Sequence, residues 1–219
     1  HPSITIGFLV WVIGYFYGIG PLRERYQLGA KPNRRQVAAF VLGSLTVLVS
    51  LEGPIHELAD NYLLSAHMIQ HLMLQLAMPP LILIGTPGWL LRPAIKNHYV
   101  LSIARRLTHP VVAFFLFNFN LVVWHLPPLY DLALQTHGVH IFQHLTFMVT
   151  AVIAWWPLLS PSKEIPRSAY PLQIVYIFAQ SVPMGVLGAI ITFAGEPLYE
   201  YYSMAPRLWG VSALADQQL

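Results

Sequence analysis

Residues Ala66 to Pro87 read AHMIQHLMLQLAMPPLILIGTP, a long apolar run with polar side chains near its start, at His67, Gln70 and His71. A run of this length and composition predicts a membrane helix. His67 and His71 are four positions apart, so on a helix they share one face and lie about 6 Å apart along the axis. Two imidazoles placed in this way can share one metal ion.

The same pattern recurs later in the chain. The segment HIFQHLTFMVTAVIAWWPLL begins at His140, 73 positions after His67, and carries Gln143 and His144 at the same offsets from its first histidine. This repeat predicts two helices of the same build, each with a pair of imidazoles on one face.

The composition is that of an integral membrane protein. Of the 219 residues, 56% are hydrophobic and 10% are charged, whereas about a quarter of the residues in a soluble domain are charged. There is no long polar segment, so we predict a single membrane domain over residues 1–219. The chain has no cysteine, which excludes disulfides, thiolate zinc sites and iron–sulfur clusters. Histidine, methionine and carboxylates remain as metal ligands.

Apolar runs recur along the whole chain, and six of them are suited to cross a membrane as helices. The predicted fold class is therefore all-α, a polytopic integral membrane helical bundle. Pro21 is expected to end the first span, and Pro79 and Pro80 are expected to kink the third. The predicted spans cover residues 4–20, 37–51, 62–91, 111–126, 139–159 and 171–193.

The positions of the Lys and Arg residues predict the orientation. The loops after the first, third and fifth spans hold eleven of the twelve basic residues, and Arg207 is the exception. By the positive-inside rule these loops are cytoplasmic and the N-terminus is extracytoplasmic. We interpret the net charge of +3 as orienting the protein in the membrane and favouring contact with the lipid bilayer, not as binding nucleic acid. The third and fifth spans both enter from outside, which places the histidine pairs in the outer part of the membrane.

Polar groups at membrane depth are costly and tend to mark function, so we interpret the two histidine pairs as metal ligands. Imidazole suits copper, zinc, iron and nickel, and thioether adds a preference for Cu(I). His125 is a fifth ligand, a residue that orients the ligands, or an interfacial cap beside Trp124. The candidate metal ligands are thus His67, His71, His125, His140 and His144, with Met68 and Met184 as sulfur donors.

Six segments together resemble the CtaG-type cytochrome c oxidase assembly factor family. They are SAHMIQHLMLQLAMPP (65–80), LTHPVVAFF (107–115), VVWHLPPLYDLAL (122–134), HIFQHLTF (140–147), AWWPLL (154–159) and SALADQQL (212–219). The resemblance implies a multi-span protein needed to build an active haem-copper oxidase, with handling of copper for its copper-B centre. Carried over by position, the histidines of the family are the five named above, and its tail motif is Asp216, Gln217 and Gln218. It also implies a seventh span beyond Leu219.

We therefore expect a membrane assembly factor in the bacterial cytoplasmic membrane, not an enzyme. It would bind copper near the extracytoplasmic side and deliver it to a cytochrome c oxidase subunit, as a monomer or a homo-oligomer. Two alternatives stay open. Histidine pairs on neighbouring helices can ligate haem, which would make this a bis-histidine electron-transfer or haem-handling protein. A purely structural scaffold would use the same histidines for internal hydrogen bonds.

Overall fold

The computed structural model describes residues 2–219, and every regular element in that range is a helix. The prediction of an all-α membrane bundle is confirmed. The longer helices are α1 (Ile4–Tyr26), α2 (Arg34–Glu52), α4 (Leu64–Gly85), α7 (Pro110–Trp124), α9 (His137–Leu159) and α10 (Tyr170–Thr192). The shorter helices between and after them are α3 (Pro54–Asn61), α5 (Gly88–Ile95), α6 (His98–Leu107), α8 (Pro127–Gln135), α11 (Glu200–Met204) and α12 (Ala213–Gln217).

Five of these helices, α1, α2, α4, α9 and α10, are long and apolar enough to cross a membrane. The remaining predicted span corresponds to α7, which has 15 residues and is therefore only about 22 Å long. It reaches the length of a span when it is counted together with α6, from which it is bent by 69°. The described chain thus has five to six candidate spans where the sequence predicted six.

Two predicted span ends are wrong. The first span does not end at Pro21, because a π-helical turn over Gly18–Leu22 accommodates this proline and the helix continues to Tyr26. The third span does not reach residue 91, because Thr86 and Pro87 adopt extended backbone and separate it from α5. The first error comes from treating a proline as a helix end, and the second from hydropathy, which does not reveal where backbone hydrogen bonding stops.

The paired prolines in α4 do not break this helix, which runs from Leu64 to Gly85 with a π-helical turn at Met73–Ala77. Pro79 has no N–H to donate to the carbonyl of Gln75, four residues earlier. The Trp155 indole nitrogen of α9 donates to this carbonyl instead, at 2.9 Å. The bond satisfies a backbone group at membrane depth and ties α4 to α9.

The long helices pack in the order α1, α2, α4, α9, α7, α10, each against the next. The helices α2 and α4 approach each other closely, and a Cβ added to Gly85 would lie 2.4 Å from the backbone nitrogen of Phe40. The Phe40 ring stacks on Tyr15 with centroids 3.5 Å apart, and the Tyr15 hydroxyl donates to the Gly85 carbonyl at 2.9 Å. These contacts join α1, α2 and α4.

Short helices cover the two ends of the bundle. At one end, called the basic end, Arg92 and Arg105 both contact Glu164 of the loop after α9. At the other, called the histidine end, α3 and α12 pack against α4, while α8 packs against α9 and α11. The segments that lie between the predicted spans at this end, residues 52–61 and 127–138, are largely helical.

Replacing Gly85 by alanine should destabilise the protein, because the new methyl group would meet the Phe40 backbone, which has little freedom to move. Overpacking of this kind costs about 1–3 kcal/mol. Thermal unfolding in detergent should show a lower midpoint for Gly85→Ala. The matched control is Gly185→Ala on α10, where nothing lies within 4 Å of the added Cβ. Equal midpoints for the two variants would contradict the close packing of α2 and α4.

Candidate metal centre

Five imidazoles from three helices come together at the histidine end, and all five are buried. The two pairs face each other: ring centroids of His67 and His140 are 5.5 Å apart, and those of His71 and His144 are 5.4 Å apart. His125, at the end of α7, lies 5.9 Å from His71 by the same measure. The sequence pattern therefore located a real cluster of buried side chains.

Three of these histidines form the tightest group. His67, His140 and His144 each offer one ring nitrogen, and these atoms all lie within 4.8 Å of one another. Two nitrogens bound tetrahedrally to one ion, with bonds near 2.0 Å, are about 3.3 Å apart. Small movements of the rings would convert the three histidines, called the triad below, into a set of ligands for one ion.

Within each pair the rings also contact each other. The Nε2 atoms of His67 and His71 are 2.8 Å apart, and those of His140 and His144 are also 2.8 Å apart. At this distance one nitrogen must carry a proton and the other a lone pair. The hydrogen-bond partners of the other ring nitrogens decide which is which.

For the first pair the assignment follows from Tyr202. The Tyr202 hydroxyl donates to the carbonyl of Ala59 at 2.5 Å, because a carbonyl can only accept. It must therefore accept from Nδ1 of His67, which is 2.9 Å away. The Nε2 atom of His67 then carries the lone pair and His71 donates to it from its own Nε2. The Nδ1 lone pair of His71 is buried and has no partner among the described residues.

His125 is assigned in the same way. Its Nδ1 is 2.7 Å from the carbonyl of Leu121 and donates to it, which leaves the lone pair on Nε2. For the second pair, Nδ1 of His140 lies 3.6 Å from the Asp60 carboxylate. When Asp60 is ionised, its charge favours the proton on Nδ1 and the lone pair on Nε2.

Asp60 and Tyr202 contact the cluster, and the sequence analysis missed both. Asp60 of α3 also lies 3.5 Å from Nδ1 of His56, so its carboxylate stands between two imidazoles. Burial, with a smaller effect from the charge of Glu57, raises the pKa of Asp60 to about 7. The four-residue spacing of His56 and Asp60 just ahead of α4 was the only available signal, and it is a weak one.

Several buried polar atoms around the cluster have no hydrogen-bond partner among the described residues. Native structures pair most such atoms, so a local concentration of them is typical of a site that takes up water or an ion. The unpaired atoms near the histidines are Gln70 Oε1, His71 Nδ1, Gln143 Oε1 and His144 Nδ1. The donor set, neutral imidazoles with directed lone pairs, fits a transition-metal ion.

The predicted sulfur donors lie beside the triad. Met68 and Met184 line a cavity of about 550 Å³ between α4, α7 and α10, together with His71 and His125. The structure thus divides the candidate ligands into two neighbouring groups, and His71 contacts both of them.

The tail motif also acts on the site, through Asp216. Leu63, which precedes α4, has no side chain able to cap the helix. The buried Asp216 carboxylate caps it instead, accepting from the backbone nitrogens of Leu64 at 2.7 Å and Ser65 at 3.3 Å, and from the Ser65 hydroxyl at 2.5 Å. His67 lies in the next turn, so this contact fixes the start of the helix that carries the first histidine pair.

Comparison with known proteins identifies the family. The family described as "Cytochrome c oxidase caa3 assembly factor (Caa3_CtaG)" matches residues 13–219. The chain is 26% identical over 227 residues to "Uncharacterized protein Mb0105" of Mycobacterium bovis, covering 96% of this chain and 34% of that protein. It is 24% identical over 245 residues to "Uncharacterized protein ML1998" of Mycobacterium leprae, covering 100% and 37%. The chain therefore spans about a third of the length of these relatives, and no solved structure matches it.

Removing the cap at Asp216 should loosen the start of α4. Loss of an N-cap costs about 0.5–2 kcal/mol, so hydrogen exchange at the amides of Leu64 and Ser65 should quicken between about 2-fold and 30-fold in Asp216→Ala. Asn97→Ala removes the side-chain cap of α6 at the basic end and is the control. Unchanged exchange at both amides in Asp216→Ala would show that the tail does not hold this helix.

Proposed function

This chain belongs to the cytochrome c oxidase caa3 assembly factor family, and we propose that it carries a copper ion on its histidine cluster and delivers it to the oxidase. The observation that supports this most is the group of buried imidazoles whose lone pairs are directed by fixed hydrogen bonds. Directed neutral imidazoles at membrane depth, without thiolates, suit a borderline or soft cation. Among such cations, copper is the one that a haem-copper oxidase requires.

In this proposal the triad of His67, His140 and His144 holds the ion, and its neighbours orient the rings. Tyr202 keeps the proton of His67 on Nδ1, and the Asp60 carboxylate favours the same tautomer of His140. Partners of this kind raise the affinity of a histidine ligand, and their removal typically lowers metal affinity by about 10-fold to 100-fold. The chain breaks no covalent bond in this role and is not an enzyme.

The orientation is part of the proposal. The basic end would face the cytoplasm and the histidine end the extracytoplasmic side, following the distribution of Lys and Arg. An oxidase subunit would then collect copper at the outer membrane surface, close to α3, α8 and α11. The proposed partners are thus an oxidase subunit and the surrounding lipid.

Binding of haem at this cluster has less support than binding of a single metal ion. The His67 ring has the rings of His71, Tyr130, His140, His144 and Tyr202 within 6.3 Å, centroid to centroid. A flat macrocycle between the two histidine pairs would displace several of these rings. A single ion needs only small movements of the side chains.

Cysteine labelling in whole cells tests the orientation. The exposed residues Glu57, in α3, and Lys96, before α6, lie at opposite ends of the bundle. We expect an impermeant thiol reagent to label Glu57→Cys in intact cells and Lys96→Cys only after the membrane is opened. The chain has no native cysteine, so there is no background labelling. The reverse pattern would place the histidine end in the cytoplasm.

Replacing His144 by alanine should remove bound copper without unfolding the protein. Loss of one triad ligand should weaken copper binding by more than about 100-fold, whereas a hydrogen bond between membrane helices contributes only about 0.6 kcal/mol on average. The measurements are copper content and affinity of the purified protein, with oxidase activity in the same cells. His71→Ala should have the same direction of effect.

The control for this experiment is His109→Ala, an exposed histidine at the basic end. It should retain copper and full oxidase maturation. Normal copper loading of the oxidase in cells that express inserted His144→Ala would support a structural scaffold, in which the histidines serve internal hydrogen bonds.

A further inference from the structure

The cavity beside the triad combines an apolar lining with several possible metal ligands. It measures about 550 Å³ and is lined mainly by aliphatic side chains of α4, α7 and α10. Four side chains with nitrogen or sulfur donors also line it: Met68, His71, His125 and Met184. Two thioethers and two imidazoles around one cavity form a softer donor set than the triad, which has imidazoles alone.

Both imidazoles have a lone pair available in the metal-free protein. His71 donates from Nε2 to His67, so its Nδ1 carries a lone pair and is without a partner among the described residues. His125 donates from Nδ1 to the Leu121 carbonyl, so its lone pair is on Nε2. Neither ring has to lose a proton before it binds a cation.

Among the described residues that line the cavity, Asp216 alone has a side-chain carboxylate, and this group is already engaged. Asp216 accepts hydrogen bonds with both oxygens from the start of α4. The remaining donors are uncharged, and an apolar cavity with uncharged ligands accommodates a monovalent cation at lower desolvation cost than a divalent one. Thioether ligands select Cu(I) among the first-row metals.

We propose that Met68, His71, His125 and Met184 form a receiving site for Cu(I), distinct from the triad, from which the ion passes to the triad. This inference rests on the proposed copper function. His71 connects the two sites, because it lines the cavity and its Nε2 touches that of His67, a triad member. An ion bound at Nδ1 of His71 can therefore pass to the Nε2 lone pair of His67 when the His71 ring rotates and its hydrogen bond to His67 breaks, with no change of oxidation state.

The test is a double substitution, Met68→Leu with Met184→Leu, in the otherwise intact chain. Leucine conserves the volume of methionine and removes only the sulfur. The control is Met148→Leu, whose side chain packs against the cluster of Tyr15, Phe40, Met78 and Ile82, away from the cavity. Thermal unfolding of all three proteins in detergent checks that the fold is kept.

Two measurements follow. X-ray absorption of the wild type with less than one equivalent of Cu(I) should show sulfur neighbours near 2.3 Å, a distance typical of metal–sulfur bonds, and the double variant should show nitrogen alone. Transfer of Cu(I) from a coloured chelator should be more than 10-fold slower in the double variant. Cu(II) binding at the triad should be unchanged.

The outcomes separate this inference from the proposed function. If the wild type binds copper through nitrogen alone and the double variant loads as fast as the Met148→Leu control, the receiving site is refuted and the triad stands. If the wild type binds no copper under any condition, the proposed function itself fails. A His140→Ala variant that loses Cu(II) but keeps the Cu(I)–sulfur signal would support two separate sites.

Discussion

The structure depends on one constraint, that a polar group at membrane depth must find its partner inside the protein. Three side chains from different parts of the sequence supply such partners. Trp155 donates to the carbonyl that Pro79 leaves unpaired, Tyr202 accepts from His67, and Asp216 caps the exposed amides at the start of α4. Each bond joins segments distant in sequence, so satisfying the backbone and orienting the imidazoles also fixes the packing.

All of these bonds involve α4 or its histidines. The tail holds the beginning of the helix, α9 holds its middle, and α2 packs against its end at Gly85. In the outermost helices, α1 and α10, by contrast, only 11% of the most apolar 18-residue stretch is buried inside the chain. The triad thus sits on α4 and α9, the two spans with the largest buried shares, while the neighbouring cavity is bounded by α10, most of whose surface is exposed.

Local sequence signals predicted the fold class, the number of apolar runs and the five clustered histidines, because hydropathy and i, i+4 spacing are properties of short segments. They did not predict the roles of Asp60, Tyr202 and Asp216. Tyr202 and Asp216 contact partners more than 130 residues away in the chain. A periodic sequence pattern carries no information about contacts between residues so far apart. The end of the first span was wrong because a π-helical turn accommodates Pro21, and the end of the third was wrong because the backbone leaves the helix at Thr86 and Pro87.

The contacts within each histidine pair bear on how an ion is released. When the site is empty, His71 donates to His67, and His144 and His140 are joined in the same way. The imidazoles that would lose an ion therefore regain a hydrogen bond, worth about 0.6 kcal/mol on average between groups in membrane helices. A preformed set of ligands without this alternative would leave buried lone pairs unpaired on release and would hold its ion more tightly. Histidine pairs that bond to each other in the empty state suit the proposed delivery role, because binding an ion at Nε2 of His67 breaks its hydrogen bond with His71 and releasing the ion restores it.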